Sequence, residues 1–151
     1  MKRIVSGLGN KLVMHKKLYY ILNFTWGIIG TLLGFLLLLI LMPFGKVKRL
    51  DHVLYLEFNK KTGWGFSLGT VFFVTKYPSA GMKYHEFGHS VQNAMFGPFV
   101  FIFVAIPSFT RFWYRNWLYK HGKQPKHHYD HAWFEGTATS IGNYYVAHEY
   151  N

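Results

Sequence analysis

Between Leu18 and Gly45 the chain carries no charged side chain, a run of 28 positions in a protein of 151 residues. A helix needs only about 20 apolar residues to cross a bilayer core. The run is also too long for the apolar core of a signal peptide, and no small-residue cleavage site follows it. It reads as a transmembrane helix from about Tyr20 to Met42, stopped by Pro43, with Tyr19, Tyr20 and Trp26 near one interface. Gly30 and Gly34 form a GxxxG, which packs either on the chain's own second apolar segment or against a second copy in a homo-oligomer. The 17 Lys and Arg residues outnumber the 6 Asp and Glu, for a formal charge of +11. Such a balance suits anionic lipid headgroups and nucleic acid equally. The apolar runs decide for membrane lipid, and no nucleic-acid-binding motif is present.

Lys46, Lys48 and Arg49 mark a return to the headgroup zone. His52 to Phe58 alternates as a strand does, Asn59 to Gly63 is a turn signal, and Phe66 to Thr75 reads as the partner strand of a β-hairpin. A helix follows from about Met82 to Phe96, ended by Gly97-Pro98. Ser90 to Thr110 is a second charge-free stretch, 21 positions long. Phe109 to His121 mixes Arg111, Arg115 and Lys120 with Phe112, Trp113, Tyr114 and Trp117, the composition of a helix lying in a membrane interface. Asp130 can cap a last helix from about His131 to His148.

The chemistry sits in His85-Glu86-Phe87-Gly88-His89. Two histidines four apart lie on one helix face, near enough to share one ion. The chain has no cysteine, so a metal site must use imidazole and carboxylate. Glu86, about 100° around the helix, can reach a metal-bound water and take its proton as general base. A catalytic zinc site needs a third protein ligand. Asp51 and Glu57 precede the helix, Asp130 reads as a cap, and Glu149 lies near the end of the chain. Glu135, alone in a mostly apolar helix, remains, with Gly136, Thr137 and Ala138 allowing a close helix crossing. Its rival reading is a salt bridge to Arg111 or Arg115, and His131, one turn before it, is the runner-up ligand. His15, His121, His127 and His128 read as solvated loop residues.

With those residues placed, the chain resembles the membrane-bound gluzincins, a group that includes the CAAX prenyl endopeptidases and the heat-shock membrane metallopeptidases. His85, Glu86 and His89 match their HExxH. Glu135 to Thr139 (EGTAT) matches their ExxAD except at Thr139, where the family places an Asp that orients a zinc-binding histidine. The strings Gly65 to Gly69, Tyr84 to Asn93 (YHEFGHSVQN), Phe96-Gly97-Pro98, Pro107-Ser108 and Trp133 to Gly136 also resemble a family of small bacterial membrane proteins. The resemblance implies zinc bound by His85, His89 and Glu135. It also implies Glu86 as catalytic base and hydrolysis of a peptide or membrane-protein substrate. Site-2 membrane proteases are excluded, because the chain lacks their Asp-bearing third-ligand motif.

The expected fold is mainly α and membrane-bound. It has one transmembrane helix, a β-hairpin, and a zincin-like pair of helices with a re-entrant or interfacial apolar segment. Residues 1–45 would form the basic N-terminus and transmembrane helix, and residues 46–151 the metal-binding domain. The expected function is zinc-dependent peptide-bond hydrolysis at or within a bacterial cell membrane. The alternative is a zinc-binding membrane subunit without turnover. Five Lys and Arg flank the first apolar run on each side, and seven more lie in the C-terminal part. That excess places the site on the cytoplasmic side. Gly97-Pro98 should turn Ser90 to Thr110 back on itself, leaving Tyr20 to Met42 as the only true span.

Overall fold

The structure is a computed structural model and describes residues 1–149. It is mainly helical with one small sheet. The helices are α1 (Lys2–Met14), α2 (Lys16–Phe24), α3 (Ile28–Leu41), α4 (Ala80–Phe96), α5 (Ile106–Lys120) and α6 (Trp133–Glu149). The strands are β1 (Gly45–Leu50), β2 (Val53–Phe58), β3 (Gly65–Leu68) and β4 (Val71–Val74).

The expected helix from Tyr20 to Met42 is two helices. α2 and α3 meet at an angle of 87° around Thr25–Gly27, and among the described residues no single helix is long and apolar enough to cross a membrane. The break is held by side chains from outside it. Asn93 of α4 donates its amide to the Asn23 side chain at 2.7 Å and to the Gly27 carbonyl at 3.1 Å. The Thr31 hydroxyl donates to the Asn23 carbonyl at 3.0 Å. The Asn23 carbonyl, released from the helix ladder, thus regains a partner, and the Gly27 carbonyl, which also accepts the Thr31 amide, gains a second one, which lowers the cost of the break. Gly27 is required there because a Cβ would meet the Asn93 amide. The GxxxG also faces inward: Gly30 lies against Asn93, and Gly34 against the Leu68 carbonyl. Both glycines are buried.

The expected single hairpin is a four-stranded mixed sheet of order β1-β2-β4-β3. Residues 45–50, read as a headgroup-zone return, form an edge strand antiparallel to β2. The run from Phe66 to Thr75 divides into β3 and β4, a hairpin around Gly69-Thr70, and β4 pairs with β2 in parallel. Gly69 makes that turn at φ +58, where a side chain would strike the backbone of Thr31. Stacked pairs Tyr55–Phe72 and Phe66–Phe73 lock the register across the strands.

α4 begins where Ser79 accepts the Met82 amide on its hydroxyl. It stops at Gly97, as expected, and the chain turns by 119° before α5. Its inner face packs Phe87, Val91 and Ala94 against Tyr19, Val53, Phe72 and Ile141. α4 crosses α6 closely because Gly88 rests on the Ala138 carbonyl and Gly142 on that of Tyr84. α1, inside the basic N-terminal segment, buries Val5, Gly9, Leu12 and Val13, with Gly9 against Ile141 of α6. α6 starts at Trp133, so Asp130 lies outside the helix it was expected to cap. The side chain of Glu149 is not among those described.

Candidate metal centre

HExxH on α4 and Glu135 on α6 meet at the helix crossing. Nε2 of His85 lies 3.1 Å from Oε2 of Glu135, Nε2 of His89 lies 3.2 Å from the same oxygen, and the two Nε2 atoms are 3.2 Å apart. Three ligand atoms around a tetrahedral zinc with bonds of about 2.0–2.1 Å are separated by roughly 3.3 Å. His85, His89 and Glu135 therefore form a group that can hold a metal ion, and among the described residues no other group of His, Cys, Asp or Glu does so.

The surroundings dictate which lone pairs point inward. Gln92 donates its amide nitrogen to the Phe134 carbonyl at 2.8 Å and to the Thr137 hydroxyl at 2.6 Å. Its oxygen therefore faces His89 Nδ1 at 2.7 Å and takes the N–H there. The Thr139 hydroxyl donates to Asp130 Oδ1 at 3.1 Å, so it accepts the Nδ1–H of His85 at 2.8 Å. With both Nδ1 atoms protonated, both Nε2 atoms turn lone pairs toward Glu135. Glu135 is held from behind: Ser108 donates to its Oε1, and so does the Tyr129 hydroxyl at 3.0 Å. Only Oε2 remains for the centre.

Three converging lone pairs in a buried place call for a positive charge, either a proton or a metal ion. Burial opposes charge on Glu135, but the two imidazoles and the Ser108 hydroxyl beside it hold its carboxyl well below the usual carboxylate range. Burial likewise opposes protonation of His89, yet Glu135 raises its pKa to about 9. Burial pushes the Tyr129 phenol up, and the Glu135 carboxylate adds to that.

Glu86 is buried, and its Oε2 has no hydrogen-bond partner in the protein. Burial pushes its carboxyl up, an effect the two imidazoles oppose. It borders a cleft of about 1000 Å³ together with His85, His89, β3 and the segment before α5. Gly65 of β3 leaves the needed room, since a Cβ there would come 2.9 Å from Glu86 Oε1.

The rival placements fall away. His131 stacks on His127, with ring centroids 4.5 Å apart, and does not join the cluster. Arg111 and Arg115 donate to the carbonyls of His128 and His127 instead of pairing with Glu135. Asp51 pairs with Lys16, and Glu57 with Lys48. His127 and His128 are exposed, as expected. Gln92, Ser108, Tyr129 and the Thr139–Asp130 pair were missed. Gln92 carried a signal, three residues after His89 on the same helix face. Comparison of the chain with protein-family models, with curated proteins and with solved structures returned no match.

Proposed function

We propose that the protein is a membrane-associated zinc peptidase of gluzincin type. The observation that carries this reading is a centre whose three lone pairs are aimed by fixed tautomers, with an unpartnered buried carboxylate oxygen on the next residue. A zinc ion held by His85, His89 and Glu135 would polarise a carbonyl and lower the pKa of water. The chain's own contributions are positional. Gln92, Thr139, Ser108 and Tyr129 hold the three ligand side chains in orientation. Glu86 takes a proton from the attacking water and returns it to the leaving amine. β3 is the sheet edge beside the cleft and can pair with an extended peptide.

A zinc-holding subunit without turnover is the second reading. It needs neither the free oxygen of Glu86 nor the cleft that Glu86 borders, so the first is preferred. Membrane association is supported by two charge-free runs, the basic balance and the exposed apolar side chains of α3 and α5. The cytoplasmic side is the one favoured by the seven C-terminal cations. The test is Glu86→Gln in detergent micelles against a fluorogenic peptide mixture. We expect zinc retained and hydrolysis lost. Undiminished cleavage by the variant would refute the mechanism. Absence of cleavage by the wild-type protein would favour the subunit.

A further inference from the structure

The two charge-free runs each turn once, and the two turns touch. Asn93 joins them from inside by its bonds to Asn23 and Gly27. Outside, Gly97 abuts the Trp26 indole, Trp26 lies 6.0 Å from Phe99, and Phe99 lies 6.2 Å from Phe103. The result is one continuous apolar cap. Trp26, Ile29, Phe99, Ile102, Phe103 and Ile106 are each between 46% and 61% exposed on it. The outer face of α3 extends the cap with Leu32, Leu36 and Leu39. Apolar surface of this continuity marks a place of interaction.

Charge and composition point to lipid as its cover. The only polar side chain of α3, Thr31, is buried, so the exposed face of that helix is wholly apolar. A protein interface carries a polar rim, which this face lacks. Lys16 and Lys17 precede the first run and Lys46 and Lys48 follow it, while Arg111 and Arg115 follow the second. On α5, exposed Trp113, Tyr114, Trp117 and Tyr119 are interleaved with Arg111, Arg115 and Lys120, as side chains at headgroup level are.

The ends of each excursion stay together. Lys16, at the start of α2, pairs with Asp51 at 2.7 Å, and the Tyr20 hydroxyl donates to the His52 carbonyl at 2.6 Å. Asp51 and His52 form the turn between β1 and β2, one strand past the end of α3. Arg111 and Arg115 tie α5 to the carbonyls just ahead of α6, which packs on α4. α3 itself is 14 residues, about 21 Å long, against a bilayer core of roughly 30 Å.

We propose that both bends enter one leaflet from the same side and that none of the described segments crosses the bilayer. The described residues then sit monotopically, with a cleft that opens into that leaflet. Val100 and Val104 line the cleft wall, and Phe109 and Trp113 stand at its mouth, 66% and 53% exposed. An apolar peptide segment would reach Glu86 laterally, from among the acyl chains. That last statement rests on the peptidase reading, whereas the topology does not.

The chain has no cysteine, so single substitutions give single thiols. In membranes of an expressing bacterium, Lys17→Cys, Lys46→Cys and Lys123→Cys should react with an impermeant maleimide in only one preparation. That preparation, spheroplasts or inverted vesicles, should be the same for all three. In vesicles of phosphatidylethanolamine and phosphatidylglycerol, nitroxides on Ile102→Cys and Leu36→Cys should be open to oxygen and closed to a nickel chelate. Their depth should be within one leaflet, about 15 Å. Labelling of Lys17 and Lys46 from opposite sides overturns the inference, as does nickel access at Ile102. So does a spin-broadened label at Ile102 closed to oxygen, the mark of contact between copies. Zinc content of the same preparations separates the two readings. Failed topology with zinc retained removes this inference alone, and the expected depths without zinc remove the peptidase alone.

Discussion

Thr139 and Asp130 act as one group: the threonine hydroxyl donates to Asp130 Oδ1 at 3.1 Å while accepting from His85 Nδ1 at 2.8 Å. The negative charge that ExxAD would place beside the histidine thus comes from a residue nine positions earlier, through one hydroxyl. A hydroxyl without that carboxylate would be free to rotate and to donate to His85 instead, which selects the wrong tautomer.

Thr139→Val should therefore lower zinc affinity by about 10- to 100-fold, measured by competition with a chromophoric chelator. Thr139→Asp should restore most of it, because the carboxylate then reaches the imidazole directly. Equal affinity in wild type and Thr139→Val would show that the relay does not orient His85.

Glu135 has its rear oxygen held by two hydroxyls, from Ser108 and Tyr129. Tyr129→Phe and Ser108→Ala should each weaken zinc binding several-fold, and the double variant should approach the loss seen on removing an outer partner entirely, about 10- to 100-fold. Isothermal titration would read this, and an unaffected double variant would mean that packing alone positions the carboxylate.

How much of this was legible beforehand differs by element. His85, Glu86 and His89 lie within one helical turn, where periodicity alone places side chains, so their shared site was readable. Glu135 followed from scarcity, as the acidic residue left after the others were assigned. Asp130 was misread as a cap because its partner, Thr139, is nearly two turns inside the following helix, and side-chain pairing is not written in local pattern. The break at Thr25–Gly27 was missed because its stabilising group, Asn93, is 66 residues or more away in sequence. The parallel pairing of β2 with β4 was missed for a related reason: hairpin signals report neighbours in sequence, and β3 intervenes.

Asn93 bridges the two bends from within the core, so its loss should be felt in folding. Asn93→Ala leaves the Gly27 carbonyl and the Asn23 side chain without this donor. It should cost about 1–3 kcal/mol, visible as a lower thermal midpoint in micelles. An unchanged midpoint would place the origin of the 87° bend elsewhere.

Gly88 sets the distance between the two ligand-bearing helices by resting on the Ala138 carbonyl. Gly88→Ala should destabilise the fold by about 1–3 kcal/mol through overpacking. By separating α4 from α6 it should also weaken zinc binding more than a change remote from the crossing does. A variant with wild-type affinity and stability would show that the crossing relaxes freely.

The central claim is that His85, His89 and Glu135 converge to hold one zinc ion, and elemental analysis of the purified protein in micelles tests it most directly. On the proposed zinc reading, one zinc per chain is expected in the wild-type protein, in Glu86→Gln and in His131→Ala. Zinc should be lost in His85→Ala, His89→Ala and Glu135→Ala, with folding of those variants checked by circular dichroism. A wild-type chain free of metal, or zinc kept by folded Glu135→Ala, would contradict the account.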